Sequence, residues 1–217
     1  LKVFKYRQFQ VDPNMVVRIR PEWSTFDDYL KAMNTKYRKK ALSVIKQGGI
    51  LERRTFTAEQ MEANYGAIEK LYLNVANKAK VRINHFDTSY LVELKRNLQD
   101  NFTFTAYCLN DVIVGFSTMI FWGNNSEGHA IGINYELNGE HAIYQNILYD
   151  FVRTSIDMGM SRLLLGRTAM EMKSNIGAEP LEMYCYIRHS TPLLNRAFKP
   201  VFNYIRKTEW TQRNPFK

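Results

Sequence analysis

Apolar side chains alternate with polar ones near the start of the chain, at Phe4, Tyr6 and Phe9 and again at Val16, Val17 and Ile19. That period of two predicts strands over residues 3–10 and 15–20. Asp12-Pro13-Asn14 between them is a turn signal, so the two read as a β-hairpin closed by Pro21. The period then lengthens. Phe26, Leu30, Met33, Tyr37, Ala41 and Val44 recur every three or four residues, as one long amphipathic helix or two short ones. Ser24, with Asp27 three residues later, opens it in the manner of a helix cap, and Gly48-Gly49 stops it. Residues 50–56 read as a strand.

Thr57 and Gln60 make a capping box, followed by Met61, Tyr65, Ile68, Tyr72 and Val75 on one helical face. A loop containing Asn84, His85 and Phe86 leads to a helix over Ser89–Leu98. Three extended stretches follow, residues 102–109, 112–122 and 128–136, joined by hairpin-length connections, so this part of the sheet is antiparallel. After Asn138-Gly139 the period returns to nearly four: Ile143, Ile147 and Phe151 line a helix over residues 140–158 that stops at Gly159. A short strand (162–165), a short helix (168–175) closed by Gly177 and a strand (181–188) come next. Thr191 caps a last helix reaching residue 206, with Pro192 at its first position. The order describes a mixed sheet covered by helices, an α+β fold in the broad sense. Residues 1–47, hairpin and basic helix, read as an N-terminal extension to a domain over residues 48–217.

Charge changes this picture. The net charge of +9 is uneven: residues 1–100 hold 19 of the 30 Lys and Arg residues, and Lys31, Lys36, Arg38, Lys39, Lys40, Lys46, Arg53 and Arg54 stand against one acid, Glu52. Such a field draws phosphate-bearing partners such as nucleic acid, nucleotide cofactors or anionic lipid; the plainer reading is a solvated helix face. Composition adds limits. A chain of 217 residues with 45% apolar and 24% charged side chains suits one large domain, or one with an extension, and excludes wholesale disorder. No apolar run approaches the roughly 18 residues of a membrane span, and the first residues lack a signal-peptide stretch. Two cysteines, Cys108 and Cys185, are too few for a disulfide framework, so the expected location is cytoplasmic. The chain begins without Met, as a processed product or a piece of a longer chain would.

Much familiar chemistry is missing. There is no phosphate-binding or dinucleotide glycine motif, no G-x-S-x-G elbow and no H-E-x-x-H. The four histidines do not pair at metal spacing, so no metal is expected. Cys185 and His189 would share a strand face as a thiol nucleophile and base do, although an unpaired Cys more commonly acts as a small core hydrophobe.

The order of elements resembles the GNAT superfamily of N-acyltransferases, whose mostly antiparallel sheet splays between its fourth and fifth strands to admit an acyl donor. Residues 128–136 would be the fourth strand, 140–158 the donor-side helix and 162–165 the fifth strand. Two stretches are similar to a bacterial branch related to Fem-type peptidyltransferases. One is Glu22-Trp23 with Phe26, Tyr29-Leu30, Lys36, Arg38 and Lys39-Lys40. The other is Leu164-Leu165-Gly166-Arg167-Thr168-Ala169-Met170-Glu171-Met172-Lys173-Ser174-Asn175-Ile176-Gly177-Ala178, a strand, a glycine turn and a lysine-bearing helix. The resemblance implies transfer of an acetyl or aminoacyl group to an amine, from acetyl-CoA, another acyl-CoA or a tRNA-linked donor. The family's donor loop is basic and glycine-rich, and its amides hold the coenzyme A pyrophosphate at a helix N-terminus. Here that loop is Leu137-Asn138-Gly139-Glu140-His141-Ala142, with one glycine and an acid that repels a pyrophosphate. Fem-type enzymes lack the loop and take an aminoacyl group from tRNA, so the departure bears on coenzyme A more than on acyl transfer. It also admits a non-catalytic RNA-binding or scaffold domain.

The resemblance places Lys173 on the helix lining the cleft, where an ammonium would stabilise an oxyanion or a donor phosphate; an exposed helix lysine is the alternative. Glu136, at the predicted end of the fourth strand, is the candidate base, or a surface carboxylate. Tyr144 is a candidate proton donor, or packing in a chain of 13 tyrosines. Amides around Asn134 and Tyr135 would support the donor carbonyl if the strand is bulged there. Asn138, Gly139 and Arg167 are candidates for donor phosphate, and His85 and Asp87 for the acceptor.

Overall fold

A computed structural model describes residues 6–78, 87–191, Asn195 and 209–216. His85 and the body of the expected last helix lie outside the described residues. One seven-stranded sheet runs in the order β2 (Glu52–Thr55), β3 (Phe102–Leu109), β4 (Val112–Trp122), β5 (Asn125–Ile133), β6 (Arg162–Leu164), β1 (Arg7–Arg18) and β7 (Ala178–Ile187). All neighbours are antiparallel except β5 and β6, which are parallel.

Alternation along the strands gives the sheet two apolar faces. In β3, Phe102, Phe104, Ala106 and Cys108 face one core and Tyr107 the other. The first core is closed by α3 (Ala58–Ala63), α4 (Tyr65–Ala76) and α5 (Ser89–Leu98). The second is closed by α1 (Phe26–Ala32), α2 (Thr35–Gln47) and α7 (Ile143–Asp157). Two further short helices are α6 (Tyr135–His141) before α7 and α8 (Met170–Ser174) before β7, and single 3-10 turns follow α2 (Gly48–Ile50) and α5 (Gln99–Asn101).

The predicted hairpin is in fact a single strand. β1 pairs along its length with β7, and Asp12-Pro13-Asn14 is absorbed where Val11 faces Met183 and Asn14 faces Leu181. Three steps in β1 against two in β7 make a bulge, a place in a sheet that tolerates a proline's missing N–H. Turn chemistry is local, and the distant partner strand overrides it. β1 is therefore one interior strand of the sheet, between β6 and β7, and not a hairpin.

The long helix is two. Met33, in extended conformation, bridges Phe216 near the chain's end, and Asn34 donates its amide to the Pro215 carbonyl (2.8 Å) and its side chain to that of Phe216 (2.9 Å). The cap also shifts by one residue: Thr25 and Asp28 form the reciprocal box that opens α1. Phe216 packs against Trp23 and Tyr29 under the Arg20 guanidinium, and a side chain on Gly177 (φ +90°) would strike its ring. Phe216→Ala should therefore cost about 2–3 kcal/mol in urea unfolding. A variant as stable as the parent would show that the residues 209–216 strap carries no weight.

Candidate functional site

β5 and β6 pair at only three positions, Asn125↔Arg162, Ser126↔Leu163 and Glu127↔Leu164. Beyond them each strand follows its other neighbour. In β5 the register with β4 slips between Ser117↔Ile131 and Met119↔Gly128, so β5 carries an extra residue. Thr118 stabilises that bulge: its hydroxyl accepts the Ala130 amide (2.9 Å) and donates to the Ala130 carbonyl (3.3 Å). Bulges bend and twist a strand. On the other bank the chain past β6 is held by β1, with Leu165 donating to the Met15 carbonyl (2.8 Å) and Met15 to that of Gly166 (3.0 Å). Past Glu127↔Leu164 no ladder joins the two strands, and this unpaired stretch toward their C-terminal ends is the candidate gap.

The β5 bank presents backbone groups. Asn134 donates its amide to Val114 of β4 (2.9 Å), so alternation turns Ile131 and Ile133 to the opposite edge, toward the gap. The Ile133 carbonyl is covered by the Asn74 side chain (3.0 Å). Asn74 is a position that periodicity assigns merely to a helix.

Lys173 lies on α8, which packs against β1 and β7. It is 5% exposed, and its ammonium donates to the Leu165 carbonyl just past β6; burial lowers its pKa to about 8. The terminal strap holds α8 in place: the Arg213 amide donates to the Ser174 hydroxyl (3.1 Å) and its guanidinium to Glu171 (3.0 Å). Arg167 is exposed after Gly166 (φ +73°).

Several expected placements are corrected. Glu136 does not end a strand: β5 stops at Ile133, and Glu136 is an exposed residue in the first turn of α6. Asn134 is the cap of that helix, its side chain accepting the Glu136 amide (3.0 Å), while its own amide completes the ladder with β4. The expected bulge at Asn134–Tyr135 sits earlier, before Ile131. An Asn two residues before Glu136 is a capping signal that a strand reading of residues 128–136 overlooks.

α6 and α7 bring four expected residues together. The Asn138 side chain accepts the Tyr144 amide (2.8 Å), Gly139 is exposed on α6, and Tyr135 lies near the Tyr144 phenol. Burial first, and Tyr135 second, push Tyr144 up to about 12. The Lys78 ammonium sits 3.4 Å from the centre of the Tyr135 ring, a cation–π contact that no local pattern signals. The break between the two helices is fixed by buried Asn146, which donates to the Val44, His141 and Ala142 carbonyls. Ala142 before α7 and Ala169 before α8 are both left-handed (φ +47° and +51°), a conformation that costs an alanine about 1 kcal/mol or more. Strain of this kind gathers at functional sites.

A coenzyme A pyrophosphate fits the α7 N-terminus poorly. The Tyr144 amide that would meet it is engaged by Asn138, and exposed Glu140 stands two residues before the Ala142 cap.

Elsewhere, Asp87 accepts from Tyr65 (3.1 Å) and from the Ser89 amide (2.8 Å), tying the start of α5 to α4. A recess of about 400 Å³ lined by Glu62, Tyr65, Ser89, Val92 and Glu93 lies on the α3–α5 side, without any of the residues of the gap. Among the described residues no cluster of His, Cys, Asp or Glu is placed to share a metal ion, and no helix is long and apolar enough to cross a membrane.

No protein-family model matches the chain, and no curated protein matches its sequence. Solved structures do match. FemX superposes with a TM-score of 0.62 over 93% of this chain and 69% of its own, at 11% identity. L-PGS from Bacillus licheniformis gives 0.57 over 94% and 68%, also at 11%. A GCN5-related N-acetyltransferase from Sphaerobacter thermophilus gives 0.52 over 85% and 53%, at 13%. The fold is thus GNAT-like, with Fem-type structures among its neighbours. The chain spans about two thirds of FemX and L-PGS and about half of the acetyltransferase.

Proposed function

We propose that the protein is an N-acyltransferase that seats an activated carbonyl between β5 and β6 and passes the acyl group to an amine. One observation carries the reading: the ladder between the two strands ends after three pairs, and buried Lys173 donates to the Leu165 carbonyl just past β6. FemX and an N-acetyltransferase among the fold neighbours support this kind of chemistry.

In this reading the Ile131 and Ile133 amides hold the extended part of the donor. The amine attacks the carbonyl and the carbonyl oxygen becomes an oxyanion, which Lys173 stabilises after turning from Leu165. Tyr144, protonated at neutral pH because its pKa is near 12, supplies a proton to the departing group. Glu136 takes the amine's proton through water. Arg167 and Lys78 draw the donor's phosphates. The engaged amide of Tyr144 favours a tRNA-linked ester over a coenzyme A thioester, since an ester of that kind brings no pyrophosphate to the start of α7.

The bond from Lys173 to Leu165 favours a second reading, a scaffold whose lysine ties α8 to the end of β6. Thermal melting separates the two. Aminoacyl-tRNA at about a hundredfold excess over its Kd should raise the melting temperature by roughly 5–10 °C, with uncharged tRNA and acetyl-CoA doing less. Indifference to every aminoacyl-tRNA and acyl-CoA tried would leave the scaffold.

A further inference from the structure

α2 carries a surface that the gap does not use. From Tyr29 to Leu51 the chain has no acidic residue and six basic ones. Lys31 pairs with Asp27, and farther along Arg53 pairs with Asp150 (2.8 Å) and Arg54 with Glu52 and Asp111. Lys36, Arg38, Lys39, Lys40 and Lys46 enter no ion pair among the described residues. Ala41 and Val44 are the buried side of α2. At about 100° per residue, Lys39, Leu42 and Lys46 form one stripe on the side facing away from them. Leu42 is 51% exposed, and Ile50, in the turn just beyond the helix, is 63% exposed.

Lysines alone suit any polyanion. Two large aliphatic side chains left in water among them suit a polyanion with an apolar interior. We propose that this face, Lys36, Lys39, Leu42, Lys46 and Ile50, docks the protein on an anionic phospholipid surface. The ammonium groups lie in the phosphate layer, where each is drawn by the surface potential, and Leu42 and Ile50 enter the boundary with the acyl chains. RNA would satisfy the lysines and leave Leu42 and Ile50 without an apolar medium to enter. α2 packs against α6 and α7, the helices beside the gap, so the docked surface is joined directly to that region. The inference stands on charge and exposure alone, apart from acyl transfer.

Co-sedimentation of the full chain with vesicles tests it. Phosphatidylcholine vesicles containing about 30% phosphatidylglycerol should pellet the protein, phosphatidylcholine alone should not, and binding should weaken as salt rises past roughly 0.1 M. Lys39→Gln with Lys46→Gln should weaken vesicle binding about 25-fold, roughly fivefold for each lysine. Leu42→Ser with Ile50→Ser should weaken it about tenfold and leave retention on tRNA unchanged. All four positions are exposed, and unchanged melting curves verify the fold. Failure to pellet with anionic vesicles overturns the proposal. So does vesicle binding that the Leu42 and Ile50 changes leave intact while tRNA is held more tightly, which would assign the face to nucleic acid.

Discussion

Lys173→Met is expected to lower acyl transfer by about two to three orders of magnitude while leaving the protein folded. Methionine fills nearly the same space but carries no charge to an oxyanion. It also leaves the Leu165 carbonyl without its donor, a loss of about 1–2 kcal/mol that is offset in part because no ammonium need then be buried. The pH dependence separates a catalytic ammonium from a structural one. Burial lowers the folded-state pKa from 10.5 to about 8, so a rate that needs the ammonium falls as the pH passes 8. Stability moves the other way. Between about pH 8 and 10.5 the unfolded chain holds this proton more tightly than the folded one, so stability rises with pH through that window. The Met variant should lack that rise. Single-turnover transfer and melting curves at pH 7 and pH 10 read both effects, and a Met variant with the parental rate would make Lys173 a structural residue only.

Gly132→Ala should have the largest effect on stability, a loss of about 3 kcal/mol in urea unfolding. A methyl group there would run into the Phe116 ring and come within 2.8 Å of the Leu71 Cβ. The ring has little room to retreat. It stacks on Phe104 at 5.0 Å, and Phe104 stacks on Phe56 at 5.7 Å, so displacing one ring presses on a column of three. Gly132 also sits between Ile131 and Ile133, whose amides edge the gap, so the variant should lose donor binding along with stability. An alanine variant that melts with the parent would mean that the column yields easily.

The amino-acid order alone determined those elements whose signals are local. α5 spans Ser89–Leu98, β3 spans Phe102–Leu109 and β4 spans Val112–Trp122, as periodicity and turn residues predict, and the Thr57–Gln60 box opens α3. The order of elements also pointed to a mixed, mostly antiparallel sheet covered by helices, because a face that must be buried repeats with the period of its backbone. A splay in that sheet was only what the resemblance to the GNAT superfamily implies. Tertiary structure alone decided the rest. Pairing with β7 turned Asp12-Pro13-Asn14 from a turn into a bulge, and Phe216 split α1 from α2. A two-residue turn between Trp122 and Asn125 started β5 three residues early, so Asn134 became a cap and Glu136 a helix residue. Burial of Lys173, and the use of its ammonium by Leu165, depend on β1, α8 and the chain's last residues arriving at one place. Register and burial are set by partners remote in the chain, and a local pattern holds no record of which partner arrives.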